Sequence, residues 1–132
     1  MINEGRDPSA TRVESVADID ALITDTAAVL VVGLDDRKIG ALGRLNALRR
    51  LYREGPSQVT DEGLCYLVNF PLEALDLGAS SLITDQGLAE LRLIRSLRWL
   101  DVTGCSRLTE AGLQALRAAL PQCEIVAALR RR

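Results

Sequence analysis

The chain of 132 residues has no histidine. That absence removes the commonest general base, the usual partner of a nucleophilic serine or cysteine, and the commonest metal ligand. Aromatic residues make up only 3% of the chain, so any core must be filled by aliphatic side chains. The three cysteines, Cys65, Cys105 and Cys123, are odd in number and lack CxxC spacing. A disulfide framework or zinc knuckle is therefore not expected, and a reducing cytoplasm is the simpler setting. Lys38 is the single lysine among 16 basic residues, a bias that fits the codon usage of a GC-rich bacterial genome. The formal net charge of −2 supplies no basic field for nucleic acid. Residues 1–13 contain no apolar signal-peptide core, and the apolar run Ala27 to Leu34 is too short to span a bilayer. The glycines follow neither the GxGxxG nor the GxxxxGK[ST] spacing of a phosphate-binding loop, so no cofactor is expected.

What the chain does contain is a repeat. Segments beginning at Leu48, Leu72 and Leu97 align over the pattern L-x-x-L, with apolar residues eleven positions further on at Val59, Ile83 and Leu108. Thr60, Thr84 and Thr109 follow, then Gly63-Leu64, Gly87-Leu88 and Gly112-Leu113, and finally Leu67, Leu91 and Leu116. The alternation in Leu75-Asp76-Leu77 and Leu100-Asp101-Val102 predicts short strands with the apolar residues on one face. Each threonine is placed to cap a following helix, with Asp61, Asp85 or Glu110 in its first turn, where the helix dipole favours negative charge. The glycine in that turn weakens the helix, so it is read as permitting close approach to the neighbouring unit. One unit cannot bury its apolar face alone. Stacked units can, with right-handed crossovers.

The stretches Leu97 to Cys105 (LRWLDVTGC), Leu72 to Ser80 (LEALDLGAS) and the ending Leu120-Pro121-Gln122-Cys123-Glu124-Ile125 resemble the cysteine-containing subclass of leucine-rich repeats. The resemblance runs from Leu48 to Val126. It implies an α/β solenoid with parallel strands on its concave side and helices on its convex side. It also implies protein recognition, as in the arrays of F-box-type substrate receptors and small assembly factors, although no F-box motif precedes Leu48. Two departures stand out. The motif's cysteine is Cys105 in one unit but aligns with Ser80 and Pro56 in the others, and Arg53 replaces an inward leucine, which leaves the first unit irregular or shifted in register.

The expected organisation is a disordered segment at 1–12, a cap helix and shortened first rung at 13–47, three repeats at 48–122, and a cap strand with a basic tail at 123–132. Outward strand positions form the expected partner site: Arg50, Tyr52, Asp76, Trp99, Asp101 and Thr103. Trp99, the only tryptophan, is either an interface anchor or packs over Ala74 or under the C-terminal tail. Asp76 and Asp101 should be neighbours on adjacent strands, about 4.8 Å apart, as solvated surface charge or as a cation or acid–base pair. The arginines at 92, 95 and 98 and at 49, 50 and 53 form two local clusters, either a solvated face or a contact for an acidic partner or RNA, and Cys105 is either inert packing or a reactive thiol. The function expected is a non-enzymatic interaction module for another protein. The alternative is an assembly or coupling subunit docking, or self-associating, through its edges or convex side.

Overall fold

Alternating apolar residues and threonine caps produce a regular succession of strand and helix. The structure, a computed structural model, describes residues 7–127. In chain order the elements are β1 (Thr11–Val13), α1 (Val16–Asp20), β2 (Ala28–Val32), α2 (Asp36–Ala41), β3 (Arg50–Glu54), α3 (Asp61–Leu67), β4 (Ala74–Asp76), α4 (Asp85–Glu90), β5 (Trp99–Asp101), α5 (Glu110–Ala119) and β6 (Glu124–Val126). Single 3-10 turns, Leu42–Arg44 and Leu91–Leu93, extend α2 and α4. Among the described residues the six strands form one open parallel sheet in chain order, and the fold is α/β.

Strand register sets the core. Val29, Leu51, Leu75, Leu100 and Ile125 stand level on successive strands. They meet Leu64, Leu88 and Leu113 from the helices in one continuous buried aliphatic interior. Burying each such leucine contributes about 2 kcal/mol.

Thr60, Thr84 and Thr109 cap α3, α4 and α5 as their sequence positions require. Each threonine also holds the preceding rung. Asp36 accepts the Thr60 backbone N–H at 2.9 Å and its hydroxyl at 2.5 Å. Asp61 does the same for Thr84 at 2.8 and 2.6 Å, and Asp85 for Thr109 at 2.9 and 2.5 Å. Gly63, Gly87 and Gly112 lie directly under these carboxylates, and a Cβ at any of them would overlap the aspartate. The repeated glycine thus makes room for the neighbouring rung's carboxylate.

The beginning of the chain departs from expectation. Residues 11 and 12, in the segment read as disordered, belong to β1, which pairs with β2. The strand was hidden because only Val13 of its three residues faces the interior, while Arg12 lies outside and pairs with Glu54. Residues 1–6 lie outside the described residues, as do 128–132 of the expected basic tail. The cap helix expected at the start of 13–47 is the short α1, held by a capping box between Ser15 and Asp18. With β1 it forms a rung of its own. This is the shortest rung: Thr11 stands opposite Val29, whereas Ala28 stands opposite Arg50.

The irregularity signalled by Arg53 is an extra residue. Leu51 stands opposite Leu75, but Ser57 stands opposite Ser80, so β3 and its turn carry one residue more than the next rung. The motif's cysteine position in this rung is consequently Ser57 and not Pro56. Ser57 and Ser80 are both buried, and the Ser80 hydroxyl donates to Ser57 Oγ at 2.6 Å. Cys105, at the same level one rung on, donates its Sγ–H to the Leu77 carbonyl at 3.1 Å. The side-chain bond thus joins two rungs, and the third is joined through a backbone carbonyl.

Two predictions follow from the aspartate–glycine fit. Gly87→Ala should destabilise the fold by about 1–3 kcal/mol, and Asp61→Ala by about 1–2 kcal/mol. The double variant should be more stable than the sum of the two by at least about 1 kcal/mol, because the overlapping carboxylate is gone. Urea unfolding of the four chains measures this, and strictly additive losses would refute the fit.

Candidate interaction face

One face of the sheet carries the helices. On the other, strand pairing lines up Ala28, Arg50, Ala74, Trp99 and Glu124 in one row. The next row contains Leu30 opposite Tyr52, and Asp76 opposite Asp101 and Val126. Alanine at position 74 leaves space between the larger side chains. The Tyr52 and Trp99 rings meet edge to face across it, with centroids 6.3 Å apart and planes at 64°. Tyr52, Ala74 and Trp99 form a second buried cluster, separate from the interior, with Ala10, Leu30 and Val126 packed against it.

Several expected site residues are therefore placed differently. Tyr52, read as an outward partner-binding residue, is 1% exposed, and Trp99, read either as an anchor or as packed, is 9% exposed. Trp99 packs in the cluster with Ala74, which was one of its two alternatives. Its indole Nε1 is buried without a hydrogen-bond acceptor among the described residues. Arg50 is half-buried and pairs with Glu73 at 2.9 Å and Asp7 at 2.9 Å. The Asp7 carboxyl is lowered to about 2 by the Ser9 hydroxyl, the Ser9 backbone N–H and then Arg50. It is thus ionised throughout the neutral range.

Asp76 and Asp101 are adjacent, as the register required. The reading of both as solvated surface charge is wrong for Asp76, which is fully buried. The displaced Arg53 explains this, since its Nε lies 3.3 Å from Asp76 Oδ1 as an ion pair. The same oxygen accepts the Gly78 N–H at 2.9 Å. Asp101 is half-buried and accepts the Thr103 N–H at 2.9 Å, which fixes Thr103 in its turn rather than leaving it extended on the face. Among the described residues no group of three or more histidine, cysteine, aspartate or glutamate side chains is placed to hold a metal ion.

The arginines are mostly engaged with the chain itself. Arg49 pairs with Glu73, Arg92 donates to the Ala89 carbonyl, and Arg98 donates to the Arg95 carbonyl. Arg117 donates to the Ile125 carbonyl on the last described strand, β6, at 3.2 Å. On the helix side, a hollow of about 500 Å³ lies between α2 and α3, lined by Ile39, Gly40, Gly43, Asn46, Asn69 and Phe70, with Tyr66 half-exposed at its rim. Among the described residues no helix is long and apolar enough to cross a membrane.

Cys105 and Cys123 are buried, whereas Cys65 is exposed on α3. Burial pushes the Cys105 thiol up and the Cys123 thiol up to about 11. Sequence reasoning missed Asp7, Ser9 and Ala10. The available signal was Asp7-Pro8-Ser9, since aspartate followed by proline initiates a turn.

Asp76→Ala should cost about 2–4 kcal/mol, because it leaves Arg53 without this charge, while Asp101→Ala should cost less than about 1 kcal/mol. Equal losses in urea unfolding would contradict the distinction between buried and partly solvated aspartate. A thiol reagent applied to the folded chain at pH 8 should modify Cys65 rapidly and leave Cys105 and Cys123 unmodified until the chain is unfolded. Peptide mapping of the labelled protein reads this directly. Compared with protein-family models and with curated proteins, the chain has no match.

Proposed function

We propose that the chain is a short leucine-rich-repeat solenoid that serves as a non-enzymatic protein-interaction module and recognises its partner on the helix-free, concave face of the sheet. The observation that carries this reading is the second apolar cluster. The interior closes without Tyr52, Ala74 and Trp99, yet the chain places its only tryptophan there, in the same row as Arg50 with Ala74 between them. Aromatic residues and arginine are the usual anchors of interfaces. In this reading the partner is a cytoplasmic protein, with no nucleic acid, membrane or cofactor involved.

A second reading is favoured by the hollow beside Tyr66. The chain then acts as an assembly or coupling subunit that docks through its helices. Docking through the β6 edge is disfavoured because Arg117 already occupies the Ile125 carbonyl.

Affinity purification from the native host separates the two. Arg50→Glu and Trp99→Ala should each weaken partner retention by at least about tenfold, the loss typical of an interface anchor, while Tyr66→Ala should not. Retention that survives both face substitutions and is lost with Tyr66→Ala would replace the first reading by the second.

A further inference from the structure

The helix-free face already has an occupant. Residues Asp7 to Ala10 form a tight turn in which the Ala10 N–H donates to the Asp7 carbonyl at 3.1 Å. Ser9 donates both its backbone N–H and its hydroxyl to Asp7 Oδ1, at 2.8 and 2.6 Å. Pro8 presets the turn at its second position. The turn delivers two groups to the face. Asp7 Oδ2 accepts Arg50 Nε at 2.9 Å, and Ala10 packs on the Tyr52–Ala74–Trp99 cluster. Neither contact serves the aliphatic interior, to which no residue of the turn belongs. The buried Trp99 Nε1–H meanwhile lacks an acceptor among the described residues, although a peptide carbonyl is what such a donor ordinarily takes.

We propose that the Asp7–Ala10 turn is an internal stand-in for the ligand: the face takes a partner peptide that presents a carboxylate to Arg50 and, three residues later, a small apolar side chain to Tyr52 and Trp99, and that peptide must first displace the turn. This rests on the concave-face reading above and names the chemistry of its partner. The complementarity is electrostatic at Arg50 and steric over Ala74, where a bulky residue would meet both rings. A tethered segment acts at an effective concentration in the millimolar range, so it sets a threshold that only a better-fitting segment crosses.

The test uses the full chain carrying Asp7→Lys with Ala10→Glu, which repels Arg50 and places a charge over the rings. The milder Asp7→Asn serves as a second variant. Far-UV circular dichroism and urea unfolding confirm that both fold. Trp99 is the only tryptophan, so its acrylamide quenching reports the cover directly, and quenching should rise in the double variant. The probe is a capped synthetic peptide of residues 4–10. It should reverse the quenching of the double variant and bind it at least about tenfold more tightly than the wild-type chain, whose own turn competes. Adding Arg50→Glu to the double variant should abolish that binding.

Unchanged quenching overturns the role of the turn. Raised quenching that the peptide does not reverse overturns the partner chemistry. A native partner that depends on Trp99 yet binds wild-type and opened chains equally overturns displacement, while leaving recognition by this face intact.

Discussion

A carboxylate at the start of one helix, gripping the backbone N–H and hydroxyl of the next helix's capping threonine, is the contact on which the stacking depends. Asp36 to Thr60, Asp61 to Thr84 and Asp85 to Thr109 repeat it. The threonine oxygen also accepts a backbone N–H from its own helix, so a single hydroxyl starts one helix and holds another. Such charge-assisted bonds are roughly twice as strong as neutral ones. They join each unit to the next, and such nearest-neighbour coupling makes a repeat array unfold cooperatively. Glycine at the third helical position is the steric condition for the contact. The ends of the array follow the same logic. α2 follows α1, which begins with Val16 and offers no such aspartate, and there Lys38 replaces the glycine and donates to the Val32 and Gly33 carbonyls.

A second constraint arises in β3. Its additional residue moves Ser57 level with Ser80 and brings the Arg53 guanidinium to Asp76. A charge pair is thereby buried between β3 and β4. A buried arginine–aspartate pair is a weak source of stability compared with apolar packing, because both charges lose their water. Its consequence is positional. Asp76 is held by Arg53 and by the Gly78 amide, so the carboxylate is unlike its neighbour Asp101 despite the shared strand position. The same rung supplies Arg50 and Tyr52 to the helix-free face.

Much of the architecture could be read from spacing. Leucines at fixed intervals, threonine caps and glycines three residues later identified strands, helices and a common interior, and those elements lie where the intervals put them. These are local signals, each governed by backbone geometry within one rung. Even the meaning of the glycine was accessible in outline, as close approach between rungs. β1 was not, because a three-residue strand with one inward residue shows no period. The position of Pro56 was misjudged for a related reason: the extra residue before Ser57 is offset by one fewer between Ser57 and Val59, so the apolar spacing is unchanged and only pairing across the sheet reveals the shift.

Arg53 and Thr103 apart, the sequence by itself determined which strand residues face inward and which lie on the opposite side of the sheet, since alternation along a strand permits only those two directions. Tertiary structure alone decided what happens on that second side. Whether Tyr52 and Trp99 stand free or lie covered depends on a turn more than forty residues away in the chain, at Asp7 to Ala10, and on the small side chain of Ala74 between them. Whether Asp76 is solvated depends on the register of Arg53 on another strand. Both outcomes come from contacts between segments far apart in sequence, and neither leaves a periodic trace in the residues that make them.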